Sequence, residues 1–285
     1  MIKKGLVIII FCFAFTANAQ LGRLTKSHSQ WWLGVMGGTN NTQAIPLQRF
    51  GVIESLSGEN FDKNYSSSGL YGSQLGMILT YDIFAGIAVS IQPKLINYKF
   101  GYTSEYSWID AENSFNDFSV EFHHENKLQY VQIPLYIKYD FIPSNFIGGS
   151  KKKDLIKPFI QFGGAYSFLT NAQKIVTEKG ESNSNTYEKS STTLDVSSQF
   201  ISTEWQLQTG GGVNLDINSF RFAFVFNYHW GLNNIVEVNN RYSYLQQTSD
   251  VYDVYDDVIL RGWSASVEAI FPLKFIYDPH FRKSK

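Results

Sequence analysis

Strict alternation of apolar and polar positions runs through eight segments of the chain and is clearest over residues 220–231. There every second residue is a large aromatic, and the residues between them are small or polar, which is the two-residue period of a β-strand. The aromatic face consists of Phe220, Phe222, Phe224, Phe226, Tyr228 and Trp230. A face of large aromatics requires an extensive apolar environment, and lipid provides one.

The same alternation predicts strands at residues 30–39, 69–81, 85–100, 128–141, 158–169, 201–215, 220–231 and 260–271. Some of the connections between them are turns, and the others are long and rich in Ser, Asn, Gly and Asp. The turns are 82–84, 142–157 and 216–219, and the long loops are 40–68, 101–127, 170–200 and 232–259. This alternation of connections is typical of outer-membrane barrels, whose short turns are periplasmic. We predict an all-β fold: an eight-stranded antiparallel up-and-down transmembrane β-barrel with long extracellular loops.

Two prolines, Pro93 and Pro134, fall inside predicted strands. Each removes a donor from the ladder of backbone hydrogen bonds, and a closed barrel has no edge strand where that loss would be harmless. We therefore expect a bulge or a local bend at each proline.

The beginning of the chain has the features of a signal peptide over residues 1–19. Two lysines precede an apolar run over residues 6–15, and Ala-Asn-Ala at 17–19 forms a small-x-small cleavage site. The run is too short to span a bilayer, although an uncleaved anchor is the alternative. We expect residues 20–285 to form the mature outer-membrane domain, which has no cysteine because Cys12 lies in the leader.

Composition narrows the possible partners. The formal net charge is −1, so no overall field favours nucleic acid, and none is expected as a partner. Aromatic residues make up 16% of the chain, which suits a barrel with interfacial girdles. No apolar stretch of about 18 residues follows the leader, which excludes transmembrane helices.

The opposite face of the predicted strands carries Gly, Ser, Gln and a few charged residues. The lumen of an eight-stranded barrel is only wide enough for side chains, so we place the large apolar residues outside and this set inside. A soluble barrel with the faces reversed is the alternative. Buried charges need partners, so we favour a polar network that plugs the lumen over a charged pathway. Its charged members are Lys94, Lys138, Glu204, Arg221 and Glu268.

The run YVQIPLYIKY at residues 130–139 resembles the Y-hydrophobic-x-I-P-L-x-x-K-Y signature of the PorT-like outer-membrane β-barrel family of Bacteroidota. Other segments are similar to that family in the same order: SIQPKL at 90–95, KPF with a following Gly-Gly at 157–164, and YHWGLNNI at 228–235. The resemblance implies an eight-stranded barrel in which the prolines are family features. The family's namesake is similar to a component needed for type IX protein secretion. The chain departs from the pattern in its longer loops and in a tail after Phe271.

Two polar clusters could bind a metal ion, although neither has a strong signature. The first precedes the predicted fourth strand, where neighbouring residues of an extended chain point in opposite directions: His123, His124 and Glu125. The second lies in the last loop and could bind calcium through carboxylate oxygens, but it lacks the glycine and spacing of a known calcium loop. It comprises Asp250, Asp253, Asp256 and Asp257. A solvated acidic loop is the alternative, and no cofactor is expected.

Two further features of the outer loops could carry function. Several tyrosines could form a contact surface for a partner or glycan, or belong to loop packing and an aromatic girdle: Tyr242, Tyr244, Tyr252 and Tyr255. His229 with Ser243 is the best nucleophile–base pair that the chain offers, but no motif or orienting acid supports it. We therefore expect no enzymatic activity.

We expect an outer-membrane protein surrounded by lipid that works through its loops and periplasmic turns, as a scaffold or as a component of an envelope or secretion complex. Two basic segments on the predicted periplasmic side could contact an acidic partner: Lys151–Lys153 and the tail residues Arg282, Lys283 and Lys285. The alternative function is a narrow porin-like channel for small solutes. An outer-membrane lipid-modifying enzyme is less favoured.

Overall fold

The computed structural model describes residues 30–50, 63–66, 70–84, 86–108, 118–141, 156–182, 185–189, 191–217, 220–242 and 253–273. These residues form twelve β-strands and two short 3-10 turns. The strands are β1 (Gln30–Gln48), β2 (Lys63–Ser66), β3 (Tyr71–Phe84), β4 (Ile87–Ile91), β5 (Lys94–Trp108), β6 (Phe118–Asp140), β7 (Ile156–Ser182), β8 (Asn185–Glu188), β9 (Thr192–Asp195), β10 (Thr203–Ile217), β11 (Phe220–Gly231) and β12 (Asp257–Pro272). Within the described ranges, no helix has the length and apolar character needed to cross a membrane.

Antiparallel pairing closes these strands into a barrel with eight strand positions. β1 pairs with β3. β4 and β5 lie end to end and occupy one strand position between β3 and β6, with which both pair. The ring continues through β7, β10, β11 and β12, and β12 returns to β1. The predicted eight-stranded antiparallel barrel is therefore confirmed.

The aromatic ladder on β11 shows how the barrel wall faces its two environments. Phe224 and Phe226 are each more than half exposed on the outer surface, whereas Ala223 and Val225 are buried inside. Elsewhere around the barrel, β3, β6 and β7 present Leu75, Ile137 and Phe162 outward in the same way. This belt of exposed apolar side chains is the surface that lipid covers, as the alternation predicts.

Three strands continue well beyond this belt at the end with the long connections. β5, β6 and β7 form antiparallel ladders as far out as Trp108, Phe118 and Ser182. We call this part the outer extension: residues 97–108, 118–129 and 171–182 together with β2, β8 and β9. The prediction that 101–127 and 170–200 are loops throughout was therefore wrong. Outside lipid the outward face of a strand is polar, so its composition looks like that of a loop.

Apolar side chains fill the barrel on the side of the outer extension. Segments that follow β9 and β11 fold inward over the mouth and pack against strand residues. The cluster comprises Ala44, Ile96, Tyr98, Phe100, Tyr102, Leu128, Tyr130, Ala172, Val196, Phe200, Ile235, Val236, Tyr255, Val258 and Leu260. The prediction of a polar interior without large aromatics was wrong for this half. An aromatic core forms there because the mouth is capped and the rings have no lipid to face.

A bulge on β7 separates the membrane-spanning part from the outer extension. Tyr130 pairs with Leu169 and Gln129 pairs with Asn171, so Thr170 is an extra residue without a cross-strand partner. The Thr170 hydroxyl donates to the Gln129 carbonyl oxygen at 2.9 Å. An extra residue exchanges the two faces of a strand, so Lys174 points inward although residues of the same parity, such as Phe168, point outward below the bulge.

The two prolines meet at one interruption of the sheet. The strand position adjacent to β6 is interrupted at Gln92–Pro93, where β4 ends and β5 has not yet begun. Pro134 lies directly across this break, where its carbonyl oxygen accepts from the Gln92 amide at 3.1 Å. β6 itself continues without a register shift at Pro134, which pairs with Ala165, so β6 has no bulge at this residue. The backbone N–H groups that Pro93 and Pro134 lack would lie side by side, so one interruption of the sheet accommodates both prolines.

Candidate functional site

The centre of the membrane-spanning interior holds a hydrogen-bonded network organised by one glutamine of β6. The Gln132 side-chain amide donates to the Tyr98 hydroxyl and the Ser167 hydroxyl, each at 3.0 Å, and to Gln206 Oε1 at 3.1 Å. Its Oε1 accepts from Gln208 Nε2 at 3.2 Å. Side chains from β5, β6, β7 and β10 are thereby connected across the lumen, which is narrow in an eight-stranded barrel.

The network continues along the barrel as a column of alternate side chains on β10. Gln208 Nε2 donates to Gln206 Oε1, and Gln206 Nε2 donates to Glu204 Oε1, each at 3.0 Å. Tyr136 donates its hydroxyl to Gln208 from the facing strand. Amide groups that both donate and accept satisfy one another along this column, so we call the whole set the glutamine network.

The predicted charged residues of the lumen are all buried but do not form one network. Lys138 Nζ lies 3.7 Å from Glu268 Oε2, the one direct pair among them. The others have partners that sequence reasoning did not name: Lys94 with Gln74 at 3.0 Å, Glu204 with Gln206 at 3.0 Å, and Arg221 with Asp216 at 2.8 Å. Alternation along a strand predicts which residues face inward. Their hydrogen-bond and ion-pair partners depend on the register between strands that are distant in sequence, which alternation does not predict.

A second charged group closes the end of the barrel near the short turns. Asp216 accepts from Arg221 Nε at 2.8 Å and from Lys157 Nζ at 2.7 Å. The Arg221 guanidinium lies 4.4 Å from the ring centroid of Trp32, whose indole N–H donates to Asp82 at 2.7 Å. This end of the barrel is therefore filled by paired side chains as well.

A third group of charged side chains holds residues 253–256 in the mouth of the outer extension. We call residues 253–256 the closing segment. Asp253 lies 2.5 Å from Lys174 Nζ and 3.2 Å from Lys63 Nζ, and the Tyr102 hydroxyl also donates to it. The two lysines come from β7 and β2, on either side of the extension. Burial alone would raise the pKa of Asp253, but Lys174 and the cations beside it hold that pKa well below its usual range.

The other residues of the closing segment are held equally firmly. Asp256 accepts from the Phe50 amide at 2.8 Å, from the Tyr65 hydroxyl at 2.8 Å and from Lys63 at 3.2 Å. Tyr255 donates its hydroxyl to Asn126 at 2.6 Å. The segment therefore connects the wall of the barrel to β2, and its carboxylates are already neutralised by lysines.

These contacts decide between the sequence hypotheses for the acidic loop. Asp253 and Asp256 are buried ion-pair partners, and Asp257 pairs with Arg241, so the predictions of a solvated loop and of a calcium loop were wrong for these residues. Asp250 lies outside the described residues. Lys63 and Lys174 were missed because both fall in segments predicted as loops, although the alternation of β7 resumes after Thr170 with the opposite phase.

The other sequence candidates are dispersed. His123 faces outward 3.4 Å from Glu121, whereas His124 is buried inside, so the two rings lie on opposite faces of β6. Among the described residues, no three His, Cys, Asp or Glu side chains are placed to hold a metal ion. His229 is buried with its ring 5.4 Å from that of Tyr98. Of the four tyrosines, Tyr242 is exposed and Tyr255 is buried. Outside the described ranges lie Ser243, Tyr244, Tyr252, the leader, the segment 142–155 and the tail 274–285.

A serine, a histidine and an aspartate in the outer extension follow the order of a hydrolytic triad. Ser104 Oγ lies 2.9 Å from His124 Nε2, and His124 Nδ1 lies 3.9 Å from Asp253 Oδ2. The second distance is too long for a hydrogen bond, and the Asp253 carboxylate is bonded to Lys174 instead. Ser104 is buried beneath the closing segment, so admitting a substrate would require moving away the aspartate that a triad needs.

Acidification is expected to loosen the closing segment in a pH range where Asp253 stays charged. Burial, followed by the charge of Lys174, lowers the pKa of His124 to about 3. Exposed histidine takes up a proton near pH 6.5, so the open state gains stability as the pH falls below that value. The loss is about 1.4 kcal/mol per pH unit, or roughly 2 kcal/mol at pH 5. Amide hydrogen exchange of residues 253–256, corrected for intrinsic rates, measures it.

Two matched variants assign this pH effect to one ring. His124→Gln should flatten the dependence because glutamine stays neutral, whereas His123→Gln should retain it because that side chain is already 41% exposed in the closed state. The groups that face His124 are Ser104, Tyr102, Lys63, Lys174 and Asp253. Equal exchange at pH 7.5 and pH 5 in the unaltered protein would mean that opening does not hydrate His124.

Comparison with known proteins gives a family and a fold. The model of a family described as outer membrane protein beta-barrel domain matches residues 18–237. No curated protein matches the chain. Neisserial surface protein A is similar in structure, with 11% identity, a TM-score of 0.32, and coverage of 85% of this chain and 98% of that chain. OprG from Pseudomonas aeruginosa is similar with 12% identity, a TM-score of 0.35, and coverage of 86% and 97%.

Proposed function

This chain belongs to the outer membrane protein beta-barrel domain family, which places it in outer-membrane lipid, and on that premise we propose that it is a plugged, non-enzymatic scaffold. In this proposal the barrel holds the outer extension and the periplasmic turns in position for other envelope components, and it conducts no solute. The observation that carries the proposal is the filled interior, in which the glutamine network is covered by an aromatic cluster and by the closing segment.

Opening a water path through this interior would be costly. Apart from Glu204 Oε2, the buried polar side-chain atoms of the glutamine network are hydrogen-bonded to one another. Each buried group that loses its partner costs about 1–3 kcal/mol. A path would also have to pass the outer aromatic cluster and the Asp216 group at the opposite end. An interior that supports the wall, with function at the surfaces, agrees better with these contacts than a pore does.

The absence of enzymatic activity is part of the same proposal. The best nucleophile and base that the described residues offer are Ser104 and His124, and they are buried beneath the segment that supplies the aspartate. Lys174 holds that aspartate in an ion pair at 2.5 Å. An ion pair that fixes the closing segment explains these contacts without a chemical step.

A finer assignment within the family rests on the sequence motifs. The run at residues 130–139 and the three segments that accompany it support a PorT-like barrel of Bacteroidota, exported with its first 19 residues as a signal peptide. A role in an envelope or secretion complex would use the basic segments 151–153 and 282–285, which we expect on the periplasmic side from the predicted order of short turns and long loops. An acidic surface of a partner protein would complement them.

Conductance of the refolded protein in a planar bilayer is expected to be zero. Protein whose folding is established by a heat-dependent gel shift would be added to a bilayer in concentrated KCl. Lys174→Met is the informative companion because it loosens the outer closure while leaving the glutamine network in place, so it should also be silent. Stable current steps from the unaltered protein would refute the plugged scaffold and support the narrow channel for small solutes.

A further inference from the structure

Charges on the outward face of β5 and β6 are sorted by their distance from the lipid belt. Leu95 and Val131 are cross-strand partners within the belt, and the next outward pair, Asn97 with Gln129, is neutral. The first charged pair beyond the belt is Lys99 with Lys127, before any carboxylate on that face. The row nearest to lipid is therefore cationic.

The two lysines are placed unusually, because Lys99 and Lys127 are direct register partners. Like charges directly opposite each other destabilise a pair of strands unless an anion lies between them. Glu125 is the carboxylate near both, 3.6 Å from Lys99 Nζ and 3.7 Å from Lys127 Nζ. Both lysine side chains remain about one-third exposed, and each ammonium has three donors, so one shared carboxylate leaves donors available to an additional anion.

The height of this pair matches the polar headgroups of the outer leaflet. Lys99 lies four residues beyond Leu95 on the same face, which is roughly 10 Å along the membrane normal for a strand tilted by about 40°. The headgroup zone begins where the hydrocarbon ends and is about 5–8 Å thick on each side. The backbone at Lys99 therefore lies near the outer limit of this zone, and a lysine side chain that extends back toward the belt reaches the phosphates within it.

A second cation occupies the rim of the belt at another position around the barrel. The Arg261 guanidinium lies 4.9 Å from the ring centroid of Trp230, within a group of aromatics that includes Trp263 and Tyr71. On β6 the carboxylates follow farther out, Glu125 and then Glu121. Cations nearest to the membrane with acids beyond them favour an anionic partner that approaches from the lipid side.

We propose that Lys99 and Lys127 form a binding site for the phosphate of an anionic lipid in the outer leaflet. The two ammonium groups donate to different phosphate oxygens, and Glu125 maintains the spacing of the pair when lipid is absent. The chemistry is that of phosphate recognition, and the position at the edge of the belt identifies a lipid as its source. The site is independent of whether the barrel conducts or has protein partners.

Native mass spectrometry in detergent with added diphosphorylated lipid A tests this site, and dephosphorylated lipid A is the matched ligand. The double variant Lys99→Gln/Lys127→Gln should bind the phosphorylated lipid roughly tenfold or more weakly. Lys179→Gln/Lys189→Gln is the matched control, because it removes the same charge from exposed pairs farther out and should bind like the unaltered protein. Glu125→Gln should bind more tightly because the competing carboxylate is gone.

Each alternative outcome decides the question. Equal affinity for the two lipids, or an equal loss in the control variant, would overturn the proposal because phosphate or position would then be irrelevant. Displacement of lipid A by millimolar inorganic phosphate would overturn the lipid source and identify a site for a free anion. A heat-dependent gel shift in every variant establishes that the losses do not come from misfolding.

Discussion

Replacing Lys174 with methionine is expected to release the closing segment from the outer extension. Asp253 would stay buried with its 2.5 Å partner gone and only Lys63 nearby as a cation. Removing one partner of a buried ion pair costs about 3–5 kcal/mol when the remaining charge is uncompensated, and Lys63 at 3.2 Å from Asp253 reduces that cost. Hydrogen exchange at residues 253–256 should therefore accelerate by about 10-fold or more.

Two variants separate this cause from a general loss of charge. Lys179→Met removes an exposed lysine that lies on β7, as Lys174 does, and 3.7 Å from Glu188 of β8. Such an exposed ion pair contributes at most about 1 kcal/mol to stability. Lys174→Met/Asp253→Leu removes both buried charges and should restore much of the protection. Unchanged protection of residues 253–256 in Lys174→Met would show that the ion pair does not hold the segment.

Replacing Gln132 with leucine is expected to destabilise the membrane-spanning part more than any other single change in the lumen. The substitution removes hydrogen bonds to Tyr98, Ser167, Gln206 and Gln208 while keeping a similar volume. Each lost hydrogen bond costs about 0.5–1.5 kcal/mol, and Tyr98, Gln206 and Gln208 keep bonds to one another, so a loss of about 3 kcal/mol is expected. Urea unfolding in micelles, followed by tryptophan fluorescence, measures this loss.

Gln173→Leu is the control for this measurement. Gln173 is an exposed glutamine on the outward face of β7, and surface substitutions of this kind change stability by about 0.5 kcal/mol or less. If Gln132→Leu unfolds at the same urea concentration as the unaltered protein, water satisfies the network in place of Gln132. The interior would then be wetter than the plugged scaffold requires.

The part of the fold that lies in lipid could be predicted from the sequence because both faces of each strand are distinctive there. On β11 every outward residue is aromatic, and on β6 the outward Ile133, Leu135 and Ile137 alternate with buried residues that include Gln132, Tyr136 and Lys138. The outer extension could not be found by the same rule. Above the belt the outward residues are polar and the inward ones aromatic, as with Lys99 and Tyr98, so the sense of the pattern is reversed.

The candidate site was predictable only in part. Parity correctly placed Glu204, Arg221 and Glu268 on the inner face. Their partners could not be predicted, because Lys138 reaches Glu268 only through ring closure and register. Lys174 was hidden by the phase change at Thr170, and Asp253 looked like a residue of a solvated loop. The PorT-like assignment, the signal peptide and the basic segments stay predictions.

The extra residue at Thr170 makes the two halves of the molecule separable in evolution. The face that each residue of β7 presents to lipid is decided below this point, and the face presented to the closing segment is decided anew above it. The upper parts of β6 and β7 can therefore lengthen or shorten in units of two residues without changing any lipid contact. A barrel of this kind can keep its membrane-spanning part unchanged while the outer extension diversifies.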